Sequence, residues 1–292
     1  MTVIKKPKSL ESRYIDFKKF DLSSLDLNAK QVLSKIIFRL FKSIKETKKL
    51  YINQISNPPT KIEKVSKGFW DKIIEYSKSI GVDLIGFAPV KESFMFKTDF
   101  TCGINQLYKN GIVLGKEMQY SEIDTAPSSR AFVETMRVYT ELGEATNKLA
   151  SFIISKNVNA IPCHPLGGPI LYPAMAVSAG MGSIGKQGIL ITKKYGPRQR
   201  LSLVSINAEP IPEITEKDFN IDDFCERCNR CVQLCPASAI LEKPIIKENG
   251  IISRIDGDKC MEVFYKTGGC SICLQTCPFH KIGYKAMYFA RL

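Results

Sequence analysis

Membrane-spanning and export segments are missing from this sequence of 292 residues. No apolar run approaches the roughly 18 residues that a helix needs to cross a bilayer. The first residues contain neither an apolar segment with a cleavage site nor a twin-arginine signal. We therefore expect a soluble, cytoplasmic protein whose cysteines meet a reducing environment.

The composition is that of a globular protein with an uneven charge. Hydrophobic residues make up 44% and charged residues 24%, which is enough for a core in more than one domain. The net charge is +13, and the first 80 residues, with 18 basic and 8 acidic side chains, carry +10 of it. The basic character therefore belongs to an N-terminal extension, which we place at residues 1–60.

A basic amphipathic helix is predicted within this extension. Apolar residues recur at helical spacing from Val32 to Ile44, and lysines surround them. Such a helix most often packs its apolar stripe on its own domain. Contact of residues 30–45 with an anionic membrane surface, or with RNA, is the alternative. Pro58 and Pro59 then mark the boundary to the next segment.

Strands and helices alternate beyond this boundary, which indicates an α/β domain. Helices are predicted from Phe69 to Ile80, from Ser128 or Ser129 through Ile153, and from Tyr172 to Ala179, and strands at 82–90, 111–115, 189–192 and 201–206. Gly81 is expected to end the first helix, and either serine can cap the second.

Eight of the ten cysteines lie in the last 68 residues, in two motifs that each end in Cys-Pro. The motifs are Cys225-x2-Cys228-x2-Cys231-x3-Cys235-Pro236 and Cys260-x9-Cys270-x2-Cys273-x3-Cys277-Pro278. This spacing is typical of two [4Fe–4S] clusters, and the Cys before proline ligates the other cluster. Cluster one is thus predicted to take Cys225, Cys228, Cys231 and Cys277, and cluster two Cys235, Cys260, Cys270 and Cys273.

Other uses of these cysteines explain less. A zinc site needs four ligands and leaves the remaining cysteines and both Cys-Pro pairs unexplained. Disulfides are typical of small secreted domains, so they are not expected in this chain of 292 residues. Cys102 and Cys163 lie outside the motifs and are expected to be buried hydrophobes. The fold class is therefore α+β, with an α/β domain at residues 61–215 and a two-cluster ferredoxin domain at 216–292.

A glycine-rich loop over residues 179–188 (AGMGSIGKQG) is the second informative feature. Gly180, Gly182 and Gly185 match G-x-G-x-x-G. A dinucleotide fingerprint follows a strand and opens a helix, whereas here a predicted helix precedes the loop and a strand follows it. Glycines would equally serve a loop whose backbone approaches a bulky ligand.

The loop, the ILITKKYGPRQR segment after it and the paired cluster motifs together resemble one family. They are similar to the cobalamin-dependent iron–sulfur reductases, which include the epoxyqueuosine reductases and the reductive dehalogenases. The resemblance covers about residues 70–285. It implies a nitroreductase-like domain that binds base-off cobalamin. An external ferredoxin or flavodoxin would supply electrons, which would pass through the two clusters to the cobalt.

The resemblance also implies site residues. The cobalamin would contact Gly180, Met181, Gly182, Gly185, Lys186 and Gly188. Dehalogenases use a tyrosine as proton donor beside a basic residue at the end of this loop, and Lys186 occupies the matching position. Tyr120 is the first candidate for the donor, and an ordinary, partly buried tyrosine is the alternative. His164, one of only two histidines, could shuttle protons at neutral pH or serve the loop as a hydrogen-bonding residue. His280 is expected to cover or tune a cluster.

The substrate class stays open between three functions. Epoxyqueuosine reductases carry D-x-x-P-x-x-E-R before the loop, whereas this chain keeps only the proline, Pro169. A cobalamin-dependent reductase of a small organic molecule is therefore preferred. A reductase acting on tRNA and a non-catalytic two-cluster electron carrier are the alternatives. Bound corrinoid would exclude the carrier, and salt-sensitive tRNA binding would favour the tRNA enzyme.

Overall fold

A computed structural model describes residues 4–5, 19–21, 23, 25, 27–96, 103–213, 221–246 and 252–289. The helices are α1 Leu27–Ser56, α2 Lys67–Ser79, α3 Tyr120–Ile123, α4 Ser129–Ile154, α5 Tyr172–Ser178, α6 Asp222–Cys228, α7 Arg230–Gln233, α8 Gly257–Lys266, α9 Ile272–Gln275, α10 Pro278–Lys281 and α11 Tyr284–Phe289. The strands are β1 Ile4–Lys5, β2 Glu63–Lys64, β3 Leu84–Pro89, β4 Gln106–Leu107, β5 Asn110–Glu117, β6 Ala160–Cys163, β7 Ser183–Ile184, β8 Leu190–Ile191, β9 Gln199–Ile206, β10 Ala208–Glu209, β11 Ile240–Ile246 and β12 Ile252–Ile255. Cys102 and the start of the predicted ferredoxin domain at residue 216 lie outside the described residues.

The central sheet has four strands in the order β3-β5-β9-β6, and every neighbouring pair is antiparallel. The sequence analysis predicted an α/β domain, and such domains usually have a mostly parallel sheet. Helix α4 connects β5 to β6, but β9 lies between these two strands, so the helix does not join neighbours. The first domain is therefore itself α+β. Its fourth strand, β6, was not predicted from the sequence. Pro162 is tolerated in this strand because β6 lies at the edge of the sheet.

Both faces of the sheet are covered. Side chains alternate along β5, so Ile112 and Leu114 pack on one face with α2 and α4, while Val113 packs on the other with α5. Local signals set the helix ends: Ser128 Oγ accepts from the Ala131 N–H at 3.1 Å at the start of α4. Gly81 follows α2 with φ +85°, as glycine after a helix commonly does.

Helix α1 packs its apolar stripe on the first domain. Leu33, Ile36 and Leu40 are buried in one cluster with Phe132 and Met136 of α4. Polar contacts support the same arrangement, since the Arg39 guanidinium donates to both carboxylate oxygens of Glu144 at 3.0 and 2.7 Å. The expectation that this helix covers its own domain is confirmed, and its lysines stay exposed on the opposite side.

The cysteine-rich part consists of short helices and the hairpin β11–β12, and it rests on the first domain. Phe20 packs between the two parts, with ring centroids 5.1 Å from Phe132 and 5.4 Å from Phe264. Asp124, just after α3, accepts hydrogen bonds from Lys281 and pairs with His280 across the same junction. Within the described part of the chain, no helix combines the length and apolarity required to cross a membrane.

Candidate functional site

Four of the predicted ligands line one cavity of about 160 Å³. They are Cys235, Cys260, Cys270 and Cys273, the set predicted for cluster two. One of them, Cys235, comes from the first motif, so the two motifs exchange a cysteine here. The cavity lining is mostly apolar, with Ile189, Ile240, Val263 and Leu274 among the residues around the thiols.

The other four ligands line a smaller cavity of about 20 Å³. They are Cys225, Cys228, Cys231 and Cys277, the set predicted for cluster one. Here the second motif contributes Cys277, which follows α9 and precedes Pro278. Phe224 and Phe279 close the sides of this cavity, with ring centroids 5.1 Å apart.

Left-handed residues shape the turns that bring these thiols together. Asn229 has φ +48° between α6 and α7, and Ser271 has φ +54° at the start of α9. Asn and Ser tolerate this region better than bulky residues do. Gly269, in the long loop after Cys260, has φ +104°, and a Cβ there would come within 2.6 Å of the Phe132 ring. That glycine lets the second motif approach α4.

Burial disfavours free thiolates in both cavities. It raises the pKa of Cys231 to about 11 and that of Cys277 to about 12. Burial also raises the pKa of the Cys225, Cys270 and Cys273 thiols. A thiolate is the species that ligates iron, so it needs a nearby positive charge to form here. Iron supplies that charge, and four convergent thiols in a dry cavity are a donor set that fits a [4Fe–4S] cluster.

Lys186 lies at the cluster-one cavity. Its side chain is buried, and its ammonium group donates to Asn229 Oδ1 at 2.6 Å and pairs with Glu226 Oε2 at 3.3 Å. Glu226 lies in α6, and Asn229 lies between α6 and α7. The Lys186 backbone N–H also donates to the Cys225 thiol, which lowers the pKa of that thiol against the larger effect of burial. In this conformation Lys186 holds the glycine loop against cluster one.

Tyr120 opens α3 and is 42% exposed. Its ring stacks on the His280 imidazole, with centroids 4.5 Å apart and planes at 17°. The Arg198 guanidinium lies 5.5 Å from the centre of the Tyr120 ring. His280 follows Cys277 closely and donates its backbone N–H to that thiol. The exposed ring is thus held by His280, three residues after Cys277, and has the Arg198 guanidinium beside it.

His164 lies inside the core of the first domain. Its Nε2 is 2.9 Å from Ser43 Oγ, and its Nδ1 accepts from the Leu166 N–H at 3.1 Å. Burial lowers the pKa of His164 to about 3, so the imidazole stays neutral at physiological pH. Tyr172 donates to the His164 carbonyl at 2.7 Å. These contacts account for both residues as structural elements, without access to a reacting group.

The inner side of the glycine loop faces its own chain. A Cβ at Gly182 would lie 2.1 Å from the Ile191 carbonyl oxygen, because the hairpin β7–β8 folds tightly over it. A Cβ at Gly185 would meet Gln187 Oε1 at 2.3 Å. Gly188, with φ +75°, lies against Ile255 of the ferredoxin part. These glycines are thus required by packing within the protein.

The side chains before and within the loop are apolar, and they differ in exposure. Val177 is 41% exposed, whereas Ala179, Met181 and Ile184 are half-buried and pack against the core, where a Cβ added at Gly86 of β3 would come within 2.9 Å of Met181 and Ala179. These side chains are small or apolar, and Gly180 with φ +69° turns the chain among them.

Comparisons with known proteins agree on this architecture. Residues 224–280 match the 4Fe-4S double cluster binding domain family. The chain is 33% identical over 195 residues to the tetrachloroethene reductive dehalogenase of Sulfurospirillum multivorans, covering 63% of this chain and 38% of that enzyme. It is 27% identical over 250 residues to the epoxyqueuosine reductase of Bacillus subtilis, covering 72% of this chain and 63% of that enzyme.

Solved structures show the same fold. A reductive dehalogenase whose structure suggested a mechanism for B12-dependent dehalogenation matches with a TM-score of 0.66 at 19% identity, over 83% of this chain and 38% of that one. An epoxyqueuosine reductase bound to a modified tRNA stem loop matches with a TM-score of 0.53 at 19% identity, over 73% of this chain and 66% of that one. The chain spans well under half the length of the dehalogenases it matches.

Proposed function

We propose, for a chain that belongs to the iron–sulfur reductase family of the reductive dehalogenases and epoxyqueuosine reductases, that it reduces a small organic substrate at a bound cobalamin. Electrons reach that site through two [4Fe–4S] clusters from an external low-potential ferredoxin or flavodoxin. The observation that carries the proposal is the pair of cavities. Each is lined by four cysteines drawn from both motifs, as two adjacent clusters require.

Cobalamin supplies the reducing cobalt chemistry, and the protein supplies its position, electrons and a proton. We assign the exposed part of residues 177–184, around Val177 and Gly180, to one face of the macrocycle. This loop continues directly into Lys186, which lies on the cluster-one cavity. One polypeptide segment would therefore touch both the cofactor and the nearest cluster, which keeps the electron path short.

Tyr120 remains the proposed proton donor, with a different helper from the one the sequence suggested. Its hydroxyl belongs to an exposed ring that stacks on His280, three residues after the predicted ligand Cys277, and Arg198 lies over that ring. A cation over the face of a phenol is favoured further when the ring gains negative charge, as it does on losing its proton. Arg198 and His280 are thus positioning residues for Tyr120, and Lys186 serves the loop.

Cobalamin binding by anaerobically reconstituted protein tests the proposal. We expect one corrinoid per chain, measured by its absorbance after gel filtration. Val177→Asp places a charge at the exposed position of residues 177–184 and should abolish corrinoid binding while both clusters remain. Lys72→Asp, on an exposed face of α2, is the matched control and should bind normally. Full cluster content without any corrinoid binding would instead identify a two-cluster electron carrier.

A reductase of modified tRNA is the second candidate, and one observation favours it. The match to the Bacillus subtilis epoxyqueuosine reductase covers more of that enzyme than the dehalogenase matches do of theirs. A tRNA stem loop whose binding weakens steeply with salt would support this alternative. Turnover of an aryl halide without tRNA binding would support the small-molecule reductase.

A further inference from the structure

Two buried nitrogen donors belong to residues that line the cluster cavities and have no hydrogen-bond partner among the described residues. They are Gln187 Nε2 and Arg200 Nε. Gln187 is only 2% exposed, follows Lys186 in the glycine loop, and lines both cavities. Arg200, in β9, lines the cavity of cluster two. Arg198 Nε, Thr276 Oγ1 and His280 Nδ1 also lack a partner among the described residues, but these three residues line neither cavity.

A buried donor without an acceptor destabilises the folded state, so folded proteins rarely keep one. Gln199 shows how the same side chain is normally satisfied. It is buried in β9, accepts from Thr192 Oγ1 at 3.2 Å and donates to the Leu190 carbonyl at 2.6 Å. Gln187 has no such acceptor for its nitrogen among the described residues. It does line both cavities, where the sulfur atoms of a bound cluster could accept this hydrogen bond.

We infer that Gln187 and Arg200 donate hydrogen bonds to the sulfur atoms of cluster two and thereby raise its reduction potential. The inference rests on the proposed iron–sulfur function. Reduction adds one electron, and so one negative charge, to a [4Fe–4S] cluster. A fixed N–H donor stabilises the more negative state, and hydrogen bonds to the sulfurs are a known determinant of cluster potential.

The position of Gln187 adds a second consequence. Its side chain lies in the walls of both cavities, so it occupies the protein layer between the clusters. Its Oε1 lies close to Gly185, since a Cβ there would come within 2.3 Å of it. A side chain at position 185 would displace the amide. Glycine at position 185 therefore leaves room for the Gln187 amide. The loop thus has a role at the clusters in addition to the proposed contact with the cofactor.

Redox titration followed by electron paramagnetic resonance tests the inference. Gln187→Leu keeps the size of the side chain and removes its donor. We expect the midpoint potential of cluster two to become more negative, so that at the wild-type midpoint the reduced-to-oxidised ratio falls about tenfold, equivalent to about 59 mV. Arg200→Lys keeps the charge but removes Nε, and it should shift the same midpoint in the same direction. The signal lost in Cys260→Ser identifies cluster two.

Gln199→Leu is the matched control, since it removes a buried amide that already has partners and lines neither cavity. It should lower the stability of the protein and leave both midpoints in place. Unchanged midpoints in Gln187→Leu and Arg200→Lys would overturn the inference, and so would an equal shift in Gln199→Leu. Wild-type protein without cluster signals would contradict the proposed function itself, which separates the two failures.

Discussion

At Gly182, a larger side chain would clash with the backbone of the neighbouring strand β8. A Cβ there would lie 2.1 Å from the Ile191 carbonyl oxygen and 3.0 Å from its carbon, neither of which can rotate away. Gly182→Ala should therefore lower the free energy of unfolding by about 1–3 kcal/mol, the usual cost of overpacking. Chemical denaturation measures this directly.

The control for Gly182 is Gly68 in α2, whose added Cβ would meet only Ser66 Oγ at 3.8 Å. Gly68→Ala should leave stability unchanged or raise it by about 0.4–1 kcal/mol, because alanine favours the helix and restricts the unfolded chain. If both variants unfolded at the wild-type denaturant concentration, the tight packing of the loop on β8 would be disproved.

His164 links stability to pH. Its folded pKa is about 3, whereas an unfolded histidine titrates near 6.5. Below about pH 6.5 the unfolded chain binds a proton that the folded protein excludes, so its contribution to stability falls as the pH drops, by about 1.4 kcal/mol per unit. Between pH 7.5 and 5 this amounts to about 2 kcal/mol.

The variant His164→Gln should show a shallower pH dependence of unfolding, since glutamine does not titrate. The measurement is urea denaturation of the wild type and the variant across pH 5 to 7.5, compared as a difference between the two curves. Parallel curves would mean that His164 is as accessible to protons in the folded protein as in the unfolded chain. Other titrating groups cancel in the difference.

At the scale of elements, α1 contains two nearby apolar residues that differ in exposure. Leu40 is 0% exposed and packs in the cluster around Phe132, whereas Phe38 is 73% exposed. Leu40→Ala should cost about 2–5 kcal/mol through lost burial and a cavity. Phe38→Ala should change stability by no more than about 0.5 kcal/mol. Denaturation of the two variants thus tests whether this basic helix belongs to the folded core.

At the scale of the whole molecule, the two cysteine motifs form one module by exchanging ligands. Wild-type protein should contain close to eight iron atoms. If Cys228 and Cys277 ligate the same cluster, the double variant Cys228→Ser/Cys277→Ser should lose about four irons, as each single variant does. The pair Cys228→Ser/Cys235→Ser lies within one motif but should lose all eight.

Iron and acid-labile sulfide analysis of anaerobically purified variants checks this pattern. Cys163→Ser, a buried cysteine outside the motifs, is the control and should keep eight irons. Loss of all iron in the Cys228→Ser/Cys277→Ser variant and of half in the Cys228→Ser/Cys235→Ser variant would mean that each motif holds its own cluster. Zinc without sulfide would exclude electron transfer altogether.

Local sequence signals were sufficient for several features. The predicted helices at 69–80 and from 128 or 129 to 153 match α2 and α4 within a few residues, because caps, glycine and apolar spacing act within one or two turns. The cysteine spacing named the two sets of four that the structure places around two cavities. Such motifs are informative because cluster geometry restricts which spacings can work.

Only the tertiary structure decided contacts between segments distant in sequence. It ordered the strands as β3-β5-β9-β6, brought Arg198 over Tyr120, and gave Lys186 to the turn that contains Asn229. It also turned the glycines at 182 and 185 inward. The sequence by itself determined where helices end and which thiols can share a cluster, since those depend on neighbours along the chain. Which face of a loop meets a partner depends on packing across the whole domain, and no local spacing encodes that.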